Sequence, residues 1–162
     1  HNPDLYLTVI LAMSTGGRQS EIWGLSWKCV DLKNGFITFE ETKNDEPRSV
    51  PLTGHALELM MERSKVHRID TDLVFPSRVD RQKHFDFRRP FQMALKASQI
   101  EDFRLHDLRH CAASYLVIAG VDMRTVAEIL GHKTMQMTQR YTHLSPEHLK
   151  DAVAKMNHKI FG

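Results

Sequence analysis

Long apolar stretches are missing from this sequence. The longest nearly apolar run, Tyr6 to Met13, falls well short of the ~20 residues that a membrane-spanning helix needs. The opening His1-Asn2-Pro3-Asp4 has no basic segment ahead of an apolar one, so no secretory leader is read there. It is not a methionine either, and the chain is expected to be part of a longer protein. Cysteine is scarce: only Cys29 and Cys111 occur, and they form no Cys-x-x-Cys pair. A chain of 162 residues builds a core without bridges, so both are read as reduced thiols of a cytoplasmic protein. Repeats, low-complexity tracts and Ser/Gly linkers are absent, which leaves one ordinary domain. There is no carboxylate cluster of the kind Mg²⁺ needs, and no metal or other cofactor is expected.

What is present fits a soluble globular chain, 41% hydrophobic and 26% charged. The net charge of +2 says little about a partner, but its distribution says more. Residues 1–60 hold 5 Lys/Arg against 8 Asp/Glu, whereas residues 61–110 hold 11 against 8. The segment from Arg78 to Arg89 carries five Lys/Arg and two Asp. Such a cluster is either a solvated loop or a phosphate contact, and composition leaves both open.

Periodicity predicts a mainly helical domain with a small antiparallel sheet near its front (α+β). Pro3 and Asp4 open a helix in which Leu5, Val9, Ala12 and Met13 recur at helical spacing, and Gly16-Gly17 stops it. A short helix follows from Arg18 to about Leu25. Phe36–Phe39 and Ser49–Leu52 read as a hairpin with Lys43 near its bend. Helices are expected from residue 54, over Phe87–Ala97, over His106–Ala119, from Asp122 to Leu130, over Thr134–Tyr141, and from Pro146 to about Met156. Tyr6, Tyr115, Trp23, Trp27, Met60, Met61, Met135 and Met137 are read as core.

Several polar segments stand out against this frame. Arg18 follows a Gly-Gly turn at a helix start, where backbone N–H groups also favour an anion. His106 and Arg109 are three apart on one helix and can face one point. His132 directly follows Gly131 at a helix end. Two arginines and two histidines converging would suit a phosphate, because guanidinium forks match its oxygens. Such a clamp stabilises charge that builds on a phosphoryl group during displacement. It needs a nucleophile, and Tyr141, in the polar Thr138-Gln-Arg-Tyr-Thr-His143, is the tyrosine best placed to supply one. His106 and His110 also have a metal-ligand spacing, but no Glu follows His106 as in the metalloprotease pattern.

Taken together, Thr15-Gly-Gly-Arg18-Gln-Ser-Glu21, Glu41-Thr-Lys43 before Arg48-Ser-Val-Pro-Leu52, Leu105-His-Asp-Leu-Arg-His110, Leu130-Gly-His132 and Thr138-Gln-Arg-Tyr141-Thr-His143 resemble the boxes of the tyrosine recombinase (phage integrase) family. They come in family order and span residues 15 to 143. The resemblance implies a tyrosine recombinase catalytic-domain fold over residues 1–162, with the DNA-binding domain that usually precedes it absent from this chain. It implies strand cleavage and rejoining on double-stranded DNA through a 3′-phosphotyrosyl link, without metal or ATP. Tyr141 would be the nucleophile, Arg18 and Arg109 would hold the non-bridging oxygens, His106 and His132 would support the phosphate and manage protons, and Lys43 would protonate the leaving 5′-oxygen. Self-association as a tetramer on paired sites, and a phage or bacterial origin, also follow from the likeness.

Glu21 is read as orienting Arg18, and His110 as a supporting or core residue. Gly17 stands where the family usually has a larger apolar residue, so looser packing is expected behind Arg18. The apolar stripe Leu149, Val153 and Met156 suggests a last helix that docks on a neighbouring copy or on its own domain. A type IB topoisomerase or a DNA-binding relic without activity remain the competing classes.

Overall fold

The computed structural model describes residues 2–40 and 47–161. The first helix, α1 (Pro3–Thr15), starts where the Asn2 side chain accepts a hydrogen bond from the Leu5 N–H at 3.1 Å. It buries Leu5, Leu7, Leu11 and Ala12. A short α2 (Gln19–Trp23) and a single 3₁₀ turn (Trp27–Cys29) lead into the sheet. Strands β1 (Val30–Asp31), β2 (Phe36–Phe39) and β3 (Arg48–Pro51) pair antiparallel in that order. The register sets Ile37 opposite Val50 and Phe39 opposite Arg48. Ile37, Phe39 and Val50 therefore fall on the buried face, as the period of two requires. The hairpin was legible in the sequence, whereas the two-residue β1 carries too little pattern to be read there. Lys43, with Glu41 and Thr42, lies outside the described residues.

Five helices complete the domain after the sheet: α3 (Gly54–Ser64), α4 (Arg88–Ala97), α5 (Leu105–Ile118), α6 (Met123–Leu130) and α7 (Met135–Gln139), with α8 (Pro146–Phe161) as a C-terminal extension. The main core joins α1, α2, the sheet, α3, the segment around Phe75 and Phe87, and Leu108 of α5. A second cluster of Ala113, Val117, Val126, Leu130 and Tyr141 sits under α6. The α1 and α5 helices pack together between them, and the small Ala112 and Ala113 on α5 permit the approach. Between α3 and α4 the chain has only isolated bridges, Ser26 with Leu73 and Pro76 with His84.

Some readings of the sequence need correction. Tyr6 and Tyr115 are not core: they are 44% and 64% exposed, on the outer faces of α1 and α5. The Tyr6 hydroxyl lies 3.0 Å from His55 Nε2. Met61, Met135 and Met137 are exposed as well, because α3 buries Met60 on its inner face and the five-residue α7 is too short to bury a face of its own. Trp23 is core, while Trp27 is half-buried against His67. The last helix runs past Met156 to Phe161; Val153 and Met156 are exposed, and the Leu149 side chain lies outside the described residues. In the basic segment, Arg81, Lys83 and Arg88 pair with Asp70, Asp80 and Asp86 at 3.9, 3.0 and 2.6 Å, which offsets much of its local charge.

Nor is the packing behind Arg18 loose. A Cβ at Gly17 would stand 2.7 Å from Ile22 Cδ1 and 2.8 Å from Phe39 Cζ, both buried side chains. The space of a larger residue is already filled from α2 and β2. Gly17→Ala would gain about 0.4–1 kcal/mol by restricting the unfolded chain, but overpacking costs about 1–3 kcal/mol. We expect a net loss of about 1 kcal/mol in urea unfolding; a variant as stable as the parent would contradict the packing.

Candidate active site

A buried carboxylate organises the site. Glu21 sits in the first turn of α2 and accepts the Arg18 backbone N–H at 2.6 Å and Arg18 Nη1 at 2.9 Å. It also accepts both terminal nitrogens of Arg48, at 2.9 and 2.6 Å, in a bidentate pair. Burial alone would raise the Glu21 carboxyl, but the hydrogen bonds and charges of Arg48 and Arg18 hold it at about 2. Glu21 therefore orients Arg18, as its spacing suggested.

Arg48 went unassigned in the sequence, yet its guanidinium makes three hydrogen bonds and a ring contact. Its Nε donates to the Ile129 carbonyl at 3.1 Å, and its Cζ lies over the Phe39 ring, 4.7 Å from the centroid. It thus ties β3 to the end of α6. The chain turns there at Gly131 with φ 65°, and a Cβ at that position would meet the Arg48 side chain at 2.9 Å. Glycine satisfies both constraints at once. Arg18 Nη2 reaches the Gly131 carbonyl at 3.3 Å.

Arg109 is 5% exposed and lies on the inner face of α5. It donates to the Gly16 carbonyl at 2.6 Å and the Leu130 carbonyl at 2.5 Å. These acceptors lie at the C-terminal ends of α1 and α6, where the helix dipoles place partial negative charge. Burial, then the nearby Arg18 and Arg48, lower its pKa to about 10, so it keeps its charge at neutral pH.

His132 leaves the Gly131 turn with Nδ1 2.7 Å from the hydroxyl of Thr138, which is fully buried on α7. Burial, then Arg109, Arg18, Arg140 and Arg48, lower its pKa to about 4, so its ring is neutral in the resting site. Tyr141 follows α7 rather than ending it: the helix stops at Gln139, and a 3₁₀ turn begins at Thr142. Its side chain is 6% exposed and packs in the second core cluster. Burial raises the phenol pKa, and the charges of Arg140 and Arg109 oppose that rise.

The hydroxyl of Tyr141 lies 2.5 Å from Nδ1 of His110. His106 is exposed, and its ring stands perpendicular to that of His110 at 4.8 Å. Of the six residues expected in the site, the fold gathers Arg18, Arg109, His132 and Tyr141 around the Gly131 turn, sets His106 behind His110, and leaves Lys43 undescribed. Sequence reasoning gave no place in the site to Arg48 or Thr138, and read His110 as a supporting or core residue without its contact to Tyr141. The signal for His110 and Thr138 was their place inside the Arg109 and Tyr141 boxes.

A model of the phage integrase family matches residues 3–148. The chain belongs to this family. It is 34% identical to the integrase of Salmonella phage P22 over 95% of its own length. It spans only 42% of that relative. In structure it resembles the catalytic domain of bacteriophage HP1 integrase, with a TM-score of 0.70 and 30% identity. That likeness covers 100% of this chain and 88% of the other. It also resembles the XerA recombinase, with a TM-score of 0.78 and 27% identity, over 96% of this chain and 58% of the other. Among the described residues, no helix is long and apolar enough to cross a membrane.

The His132 environment has a consequence for stability. The unfolded chain protonates this ring near the ordinary imidazole value of 6.5, whereas the folded chain resists protonation down to about 4. The unfolded state therefore binds the extra proton between those values, and stability falls as pH drops through that window. The melting temperature should fall from pH 7 to pH 4.5, and His132→Asn should lose less over the same interval. Equal losses in both proteins would contradict this environment.

Proposed function

We propose that this domain cuts and rejoins DNA strands in site-specific recombination, as the catalytic unit of a tyrosine-type integrase. The observation that supports this most is a buried tyrosine within the electrostatic reach of Arg109, whose charge also acts on a neutral His132 and whose neighbour Arg18 is oriented by Glu21. Tyr141 attacks the scissile phosphorus. The new O–P bond gives a 3′-phosphotyrosyl link, and the P–O bond to the 5′-oxygen breaks. Arg18 and Arg109 hold the non-bridging oxygens, His132 and His106 support the phosphate, and Lys43 protonates the leaving 5′-oxygen. A second strand's 5′-hydroxyl reverses the step, so the bond energy is conserved.

The charge that develops on the non-bridging oxygens is met by fixed guanidinium groups in a partly dry site. Membership of the phage integrase family supports the reading, as does the HP1 catalytic-domain likeness. In the full protein, double-stranded DNA is the partner, a tetramer on paired sites is the working assembly, and the bacterial cytoplasm is the setting. The exposed Val153, Met156 and Ile160 on α8 support docking on a neighbouring copy.

The test is covalent trapping on a nicked suicide substrate in excess chelator. The parent should form a denaturation-resistant DNA adduct and Tyr141→Phe none. An adduct with the Phe variant, or loss of the parent's adduct that a divalent ion restores, would refute this mechanism.

A further inference from the structure

We infer that His110 is the base that takes the proton from Tyr141 as it attacks, an inference that rests on Tyr141 being the nucleophile. The geometry points to it directly. Tyr141 Oη lies 2.5 Å from His110 Nδ1, within reach of proton transfer. The ring centroids are 6.1 Å apart at 44°, so the two rings meet through their polar atoms rather than by stacking. The other histidines are differently engaged: His132 directs Nδ1 at Thr138, and His106 stands behind the His110 ring. His110 lies next to Arg109 on α5, so one helix sets both the base and a phosphate-binding arginine.

The surroundings of His110 keep it ready to accept. Among the described residues, His106, Asp107 and Arg109 face it from α5, and Arg140 faces it from the end of α7. Burial, then His106 and Arg140, lower its pKa below 6.5, while Asp107 works the other way. The ring is neutral at neutral pH, and a bare nitrogen can point at the phenol.

The step balances. The phenol O–H bond breaks, its proton passes to His110 Nδ1, and its electron pair forms the bond to phosphorus. The pair of the breaking P–O bond stays on the 5′-oxygen, which Lys43 protonates. The phenol is the weaker acid by several pKa units, so the proton moves as the O–P bond forms and not before. On rejoining, the His110 imidazolium returns the proton to Tyr141 as the phenol leaves.

The experiment measures single-turnover cleavage by the recombinase carrying this domain, with saturating DNA, from pH 5 to 9. Two substrates are compared: ordinary DNA and DNA with a 5′-bridging sulfur, a leaving group that needs no proton. His110→Asn keeps a polar atom near the phenol but removes the base. It should cleave both substrates about 100-fold more slowly at neutral pH, with DNA affinity within twofold of the parent. The parent's rate should rise with pH to a midpoint below 6.5, and this limb should vanish in the variant. Cleavage within threefold of the parent, rescue by the sulfur substrate, or retention of the acid limb would overturn the assignment. If the variant does not fold, the parent alone decides: absence of an acid limb on the sulfur substrate overturns it. A covalent adduct in Tyr141→Phe would instead refute the nucleophile itself.

Discussion

Among the described residues, Glu21 carries the negative charge around which the cationic cluster is built. Its carboxylate is shared by Arg18 and Arg48, which come from the α1–α2 turn and from β3, and Arg48 continues to the end of α6. The α1–α2 turn and β3 meet on the two carboxylate oxygens, and Arg48 Nε carries the link on to the Ile129 carbonyl. Removing such a buried partner leaves the Arg48 guanidinium, whose side chain is only 9% exposed, without its counter-charge, which is costly. The pair is therefore as much a device for holding the strand and the helix end in register as a source of stability.

The charge balance also suits the chemistry. Among the described residues, Arg18, Arg48, Arg109 and Arg140 stand against the Glu21 carboxylate, so the cluster keeps a positive excess while His132 is neutral. A phosphodiester brings one negative charge, and the crowded state on the way to displacement carries about two. The dipoles of α1 and α6 offset the rest, through the Gly16 and Leu130 carbonyls on Arg109. The cluster can thus stay preorganised without substrate, and its positive excess is available to the charge that builds during displacement.

The elements that a sequence shows well are those set by local rules. The α1 start at Pro3 and Asp4, the Gly131 turn, the Asp122 cap and the β2–β3 hairpin all follow from neighbouring residues. The boxes around Arg18, Arg109, His132 and Tyr141 were equally visible. What stayed hidden depends on partners far along the chain. Arg48 meets Ile129 across 81 positions, and His110 meets Tyr141 across 31. The Gly17 site was misread for the same reason, since Phe39 fills the space from another element. The exposed Tyr6 and Tyr115 show the limit of helical periodicity, which gives a period but not the face that a neighbour covers.

The claim that Glu21 and Arg48 act as one unit is tested most directly by a double-mutant cycle. Glu21→Gln, Arg48→Met and the double variant would be compared by urea unfolding. If the pair is the keystone, each single change costs about 3 kcal/mol or more, and the double costs little beyond one of them. The coupling would then be at least about 2 kcal/mol. Additive losses, with coupling below about 0.5 kcal/mol, would contradict the account and leave the cluster resting on its other contacts.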